Sequence, residues 1–214
     1  MDIQYLLVPA VIVVSVTSFA LLVITNWRMN IILLAVQFVG IFILLTANWS
    51  LQLASTNLLS GLIAGTVLGM ARYTSRPVDD DKNQVLRTSP RKQFLDNIGL
   101  LSAGGILFQL LAAGLVILAV IYITPILIIQ LPELSSSVGL GGLILTGMGL
   151  LKLGFTDTAF GNIIGLLTTF SGFIVIYSSI EDSVLVIGLL SVVLLGISLV
   201  GAYLLVISNP VDQA

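Results

Sequence analysis

The chain has 214 residues, of which 57% are hydrophobic and 8% charged, with a formal net charge of −2 and a mean hydropathy of +1.16. Charged residues make up about a quarter of an ordinary soluble domain, so a single large soluble core is excluded and the chain reads as membrane-embedded. It has no Cys and no His. That removes disulfides, thiolate nucleophiles, imidazole metal sites, haem ligation by His and His-based acid–base catalysis. No metal or other cofactor is expected, and no basic patch marks nucleic acid as a partner.

Crossing about 30 Å of hydrocarbon at about 1.5 Å per residue takes roughly 20 apolar residues. The hydropathy pattern divides into an all-α, polytopic helix bundle of about seven such spans. Residues 5–25 form the first, preceded by Asp2 and lacking the basic start and small-residue cleavage site of a secretory signal. Asn26, Trp27, Arg28 and Asn30 mark an interface, 31–47 forms a second span, and Asn48, Trp49 and Ser50 mark the opposite surface. The third span, 53–71, is less apolar and ends at Arg72.

A polar segment follows, in which Arg72, Arg76, Lys82, Arg87, Arg91 and Lys92 alternate with Asp79, Asp80, Asp81 and Asp96. Pro77 and Pro90 argue against a continuous helix there. The chain thus divides into a three-helix part (1–72), a cytoplasmic loop (73–96) and a four-helix part (97–214). The second half is read as spans at 98–123, 138–153, 160–178 and 184–207, with a connection from Pro125 to Pro132 and Glu133, and a stop at Ser208, Asn209 and Pro210.

Lys and Arg are retained on the cytoplasmic side more strongly than acids are. With seven spans, Arg28, the six cations of the long loop and Lys152 all fall on one side, which accounts for all eight Lys and Arg. Asp2, Glu133, Glu181 and Asp182 fall on the other. The N-terminus is therefore expected outside and the C-terminus in the cytoplasm, in a multi-pass protein of the inner (plasma) membrane with the lipid bilayer as its first partner.

An ionisable group in the middle of a span signals a proton, ion or substrate path, and here the middles hold none. Lys152 lies near the end of its span, where a snorkelling side chain beside Asp157 explains it. Glu181 and Asp182 sit before the last span, where negative charge suits a helix N-terminus. Neutral polar residues remain: Gln37, Asn57, Gln109, Thr168, Thr169 and Ser171. These either bond between helices or, with Lys152, line a polar path. Gly61, Gly65 and Gly69 recur every four residues, and Gly161 and Gly165 repeat the spacing, marking faces where helices approach closely. No catalytic residue is identified, and no Gly-rich phosphate loop with a Lys follows a strand.

The layout is similar to that of a known family, the hydrogenase-4 component E family of membrane proteins from hydrogenase-4 and formate hydrogenlyase type complexes, related to the K subunit of respiratory complex I. Trp27-Arg28 followed by a span with Gln37 resembles that family's basic turn and second helix, and residues 55–72, ending Met70-Ala71-Arg72, resemble its third. The loop 153–160 leading into Gly161-Asn162-Ile163-Ile164-Gly165, with Ser171-Gly172 further on, resembles its tight turn and following helix. That family carries a membrane-buried Glu there; aligned through Gly165 or Gly172, its place falls on Leu167 or Phe170. Where the family's third span bears a Lys, residues 63–67 are apolar, Gly or Thr, and the last span has no carboxylate. The resemblance implies the fold and an assembly role beside other integral membrane subunits, without the proton-relay residues. The alternatives are a stand-alone transporter or channel for an ion or small solute, and a membrane enzyme using loop carboxylates.

Overall fold

The computed structural model describes residues 4–74, 103–132 and 134–207. Most of the polar loop 73–96, together with Asp2, Glu133 and the Ser208-Asn209-Pro210 stop, lies outside the described residues. Within them the chain forms seven helices: α1 (Gln4–Val23), α2 (Trp27–Leu45), α3 (Leu51–Thr74), α4 (Ala103–Gln130), α5 (Ser136–Phe155), α6 (Ala159–Tyr177) and α7 (Val184–Ile207). Six of them, α2 to α7, are long and apolar enough to cross a bilayer, and α1 adds a shorter apolar stretch, Leu7–Val23. The protein is a polytopic helical membrane bundle. Helices satisfy their own backbone groups, which hydrocarbon cannot do.

Short polar residues start the helices. The Asn26 side chain accepts from the Arg28 amide at 3.1 Å, Ser135 from Val138 at 3.4 Å and Thr158 from Gly161 at 3.2 Å, each pairing one of the amides that a first turn leaves without a partner. The largest boundary difference from the reading of the sequence lies at Pro125; α2 also starts at Trp27, four residues before the span read as 31–47. Pro125 lies inside α4, which continues to Gln130, so the connection begins at Leu131 instead of at Pro125. A proline forfeits one backbone bond, whereas ending the helix there would leave several more unpaired. The preceding Thr124 also donates its hydroxyl to the Val120 carbonyl at 2.7 Å.

Glycine contacts set the registers. A methyl on Gly40 would meet Val14, placing α2 antiparallel to α1, and one on Gly61 would strike the Phe38 ring, placing α3 antiparallel to α2. In α5 and α6 the contacts reach backbone: Gly142 faces the Gly172 carbonyl and Gly149 the Gly165 carbonyl. Two neighbours are distant in sequence. α3 packs along α7, where Ser198 donates to the Ala64 carbonyl at 2.7 Å, and α1 packs along α5. The first three helices therefore share one core with α5, α6 and α7, running from Leu34, Phe38 and Ile41 through Leu145 to Ile164, Leu167 and Leu194. α4 is the outlier. It packs mainly on α5 and exposes Leu107, Leu111, Leu115, Leu118 and Ile129.

Candidate functional site

Charges sort to the two ends of the bundle. Lys152, in the last turn of α5, does not snorkel out beside Asp157 as its place in the sequence suggests: it is buried and donates its ammonium to the carbonyl of Leu21 in the last turn of α1. Carbonyls of a final helical turn lack an amide one turn on, and a cation there also meets the negative end of the helix dipole. Arg72 at the end of α3 lies over the Phe160 ring at 5.9 Å, and Arg28 over the Trp27 ring at 5.4 Å. At this end Asp157 lies exposed in the α5–α6 connection.

The opposite end carries Glu181 and Asp182. There the α2–α3 and α6–α7 connections are clasped: Asn48 donates to the Ser178 hydroxyl at 3.1 Å, and the Trp49 indole N–H donates to the Glu181 carbonyl at 3.0 Å. The Glu181 carboxylate accepts from the Ser183 amide at 3.1 Å, a turn of its own loop. A cleft of about 370 Å³ lies between these loops, lined by Asn48, Ser178, Ser179, Glu181 and Asp182 among others. The clasp joins residues 130 and 132 apart in sequence. Sequence reading took Asn48 and Trp49 as an interface marker only and had no signal for their partners.

Between the two ends lies a neutral polar interior. Gln37 is fully buried, and neither its amide oxygen nor its amide nitrogen has a hydrogen-bond partner in the protein. Thr168 is buried with its hydroxyl unpartnered, as are the Asn57 amide nitrogen and the hydroxyls of Ser18 and Ser191. Thr169 and Ser171 instead donate to the carbonyls of Gly165 and Leu167, at 2.9 and 2.8 Å. Gln109 lies half-buried on the peripheral α4.

The helix registers divide these groups into two sets. Ser198 on the Ala64 carbonyl places Ser191 one heptad earlier on α7, level with Asn57 on the parallel α3. The other set, Ser18, Gln37 and Thr168, lies where α1, α2, α5 and α6 meet. Ser191 and Ser198 share a seven-residue spacing with Asn57 and Ala64, a signal visible in the sequence but not usable until α3 and α7 are known to be neighbours.

The glycine positions differ in how closely they are approached. A methyl at Gly61 would run into the Phe38 ring and one at Gly69 would lie 3.1 Å from Ile31, whereas one at Gly65 would meet only Leu34, at 3.9 Å. Gly165 faces Leu153 and the Gly149 carbonyl across the α5–α6 seam, and Gly161 faces Thr156 and Thr158 in its own connection. Gly142, Gly149 and Gly172 complete the seam, each with backbone of the opposing helix within 3.2 Å of the added methyl.

No helix among the seven contains an Asp or Glu. Among the described residues, no three Asp or Glu side chains gather as a metal ion would require. Compared with protein-family models, with curated proteins and with solved structures, the chain matches none.

Proposed function

We propose that this chain is a non-catalytic integral subunit of a multi-subunit, hydrogenase-like or complex-I-like ion-translocating complex of the inner membrane, with a structural or assembly role. The observation that carries the reading is the absence of any carboxylate from the seven helices. Moving protons through hydrocarbon calls on titratable groups inside the spans; among the described residues Lys152 is the buried cation, and its ammonium is engaged by a helix-end carbonyl. The likeness of Trp27-Arg28, Gln37 and the Gly161–Gly165 turn to the hydrogenase-4 component E family supports the same reading. So does α4, held from one side and offering a long apolar face on the other to lipid or to a neighbouring membrane protein. The cations at one end of the bundle face the cytoplasm under this reading.

Mild-detergent purification of the tagged protein from its native membrane, followed by mass spectrometry, tests it. Other integral membrane subunits are expected to be recovered with the chain in fixed proportion. Recovery as a lone monomer that carries a solute into liposomes would overturn the subunit reading and favour a transporter, the alternative to which the unpartnered Gln37, Thr168 and Asn57 lend support.

A further inference from the structure

Three of the unpartnered polar groups lie at one depth. The Asn48–Ser178 bond fixes the offset between α2 and the parallel α6, and the same offset sets Gln37 level with Leu167, beside Thr168. The contact of Gly40 with Val14 and Val13 fixes the antiparallel offset of α1 and α2, which sets Gln37 level with Thr17, beside Ser18. Leu44 against Gly141 sets α5 against α2, bringing Met148 to the same level.

The helix faces converge as well. Gln37 lies on the buried stripe of α2 with Ile41 and Leu44, the stripe that meets α5. Thr168 lies on α6 between the glycines that face α5 and the Ser171–Val175–Ser178 line that leads to Asn48. Ser18 is one turn before Leu21 and Leu22, which reach Lys152 and Met148 of α5.

The chemistry singles these groups out. A buried Ser or Thr in a helix ordinarily donates to the carbonyl three or four residues back, as Thr17, Ser60, Thr124 and Ser171 do. Ser18 and Thr168 do not. An amide or hydroxyl transferred to an apolar interior without a hydrogen bond costs roughly 2–7 kcal/mol. Ser18 and Thr168 are each 2% exposed and Gln37 is 0% exposed. A buried water is held by two to four polar partners, and a carboxamide with two hydroxyls at one level supplies them.

We infer that the junction of α1, α2, α5 and α6 is a hydration site, in which ordered water bonds the Gln37 carboxamide and the hydroxyls of Ser18 and Thr168. The inference concerns the bundle itself and holds whether the chain works in a complex or alone.

X-ray radiolysis tests it, because it makes hydroxyl radicals where water resides. Met148 is 2% exposed and Met29 43%, so oxidation of Met148 reports water bound inside and Met29 serves as the reference. In the full-length protein in nanodiscs, Met148 is expected to be oxidised. In Gln37→Leu/Thr168→Val that label is lost while Met29 keeps its own. An unlabelled Met148 in the parent protein overturns the inference whether or not the variant folds, as does a label that persists in the folded variant. Thermal unfolding gives a second readout: a hydrated Gln37 makes Gln37→Leu no more stable than the parent. A clear rise in the midpoint would mean a dry, unpaired amide.

Discussion

The seam between α5 and α6 offers the sharpest test of the fold, through Gly149→Ala. The added methyl would run into the Thr169 hydroxyl and would lie 2.5 Å from the Thr169 amide nitrogen and 2.9 Å from the Gly165 carbonyl oxygen. The last two atoms are backbone and cannot rotate away. Restoring an ordinary contact means moving α6 outward by roughly 1 Å, and overpacking of this kind costs about 1–3 kcal/mol. Alanine's better helix propensity returns up to about 1 kcal/mol, so the net loss is about 1–2 kcal/mol. Gly196→Ala is the matched control, because nothing lies within 4 Å of a methyl there; it should gain up to about 1 kcal/mol. Reversible unfolding in mixed micelles, followed by the fluorescence of Trp27 and Trp49, measures both. If the two variants agree to within about 0.5 kcal/mol, the scatter of an ordinary surface substitution, the close approach of the helices is wrong.

Four further outcomes are expected. Gly61→Ala should destabilise the bundle by about 1–3 kcal/mol and be partly rescued by Phe38→Leu, which removes the ring it strikes, while Gly65→Ala should be tolerated; the same unfolding assay reads all three. Trp49→Phe deletes the donor to the Glu181 carbonyl and should cost about 1 kcal/mol, with faster amide exchange confined to residues 178–183. Lys152→Met should cost about 1–3 kcal/mol through loss of a charged donor and speed exchange at the end of α1, without altering the activity of any complex that contains the chain. Because the protein has no Cys, single cysteines at the exposed Asp157 and Asp182 report sidedness: a membrane-impermeant thiol reagent should label Asp182→Cys on intact cells and Asp157→Cys only after lysis. The reverse pattern would invert the topology inferred from the cations.

The helices themselves were legible in the sequence for a local reason. Hydrocarbon demands about 20 apolar residues and a self-satisfied backbone, and both conditions are met residue by residue. The last span, read as 184–207, coincides with α7, since Asp182 and Ser183 precede it and Ser208, Asn209 and Pro210 follow it. Pro125 misled because a proline forfeits a single backbone bond, a loss that α4 absorbs as it continues to Gln130.

Neighbourhood was not legible, and the candidate site depends on it. α3 lies beside α7 and α1 beside α5, pairings that no hydropathy pattern encodes, because every span is apolar on the face it turns to lipid as well as on the face it buries. In water the polar face of a helix reveals which side is out; in a bilayer that contrast is erased, and polar residues mark the inside instead. Gln37, Thr168 and Asn57 look alike as isolated polar letters in apolar runs. The Ser198–Ala64 bond, which aligns α7 with α3, the Asn48–Ser178 bond, which aligns α6 with α2, and the contacts at Gly40 and Gly141 separate them into a pair between α3 and α7 and a cluster at the four-helix junction. The buried neutral polar residues therefore gain their neighbours from registers that the glycine contacts and these two bonds set. Substituting them in pairs along one depth should show coupling that substitutions at different depths lack, because groups bonded through a shared water fail additivity while distant ones obey it.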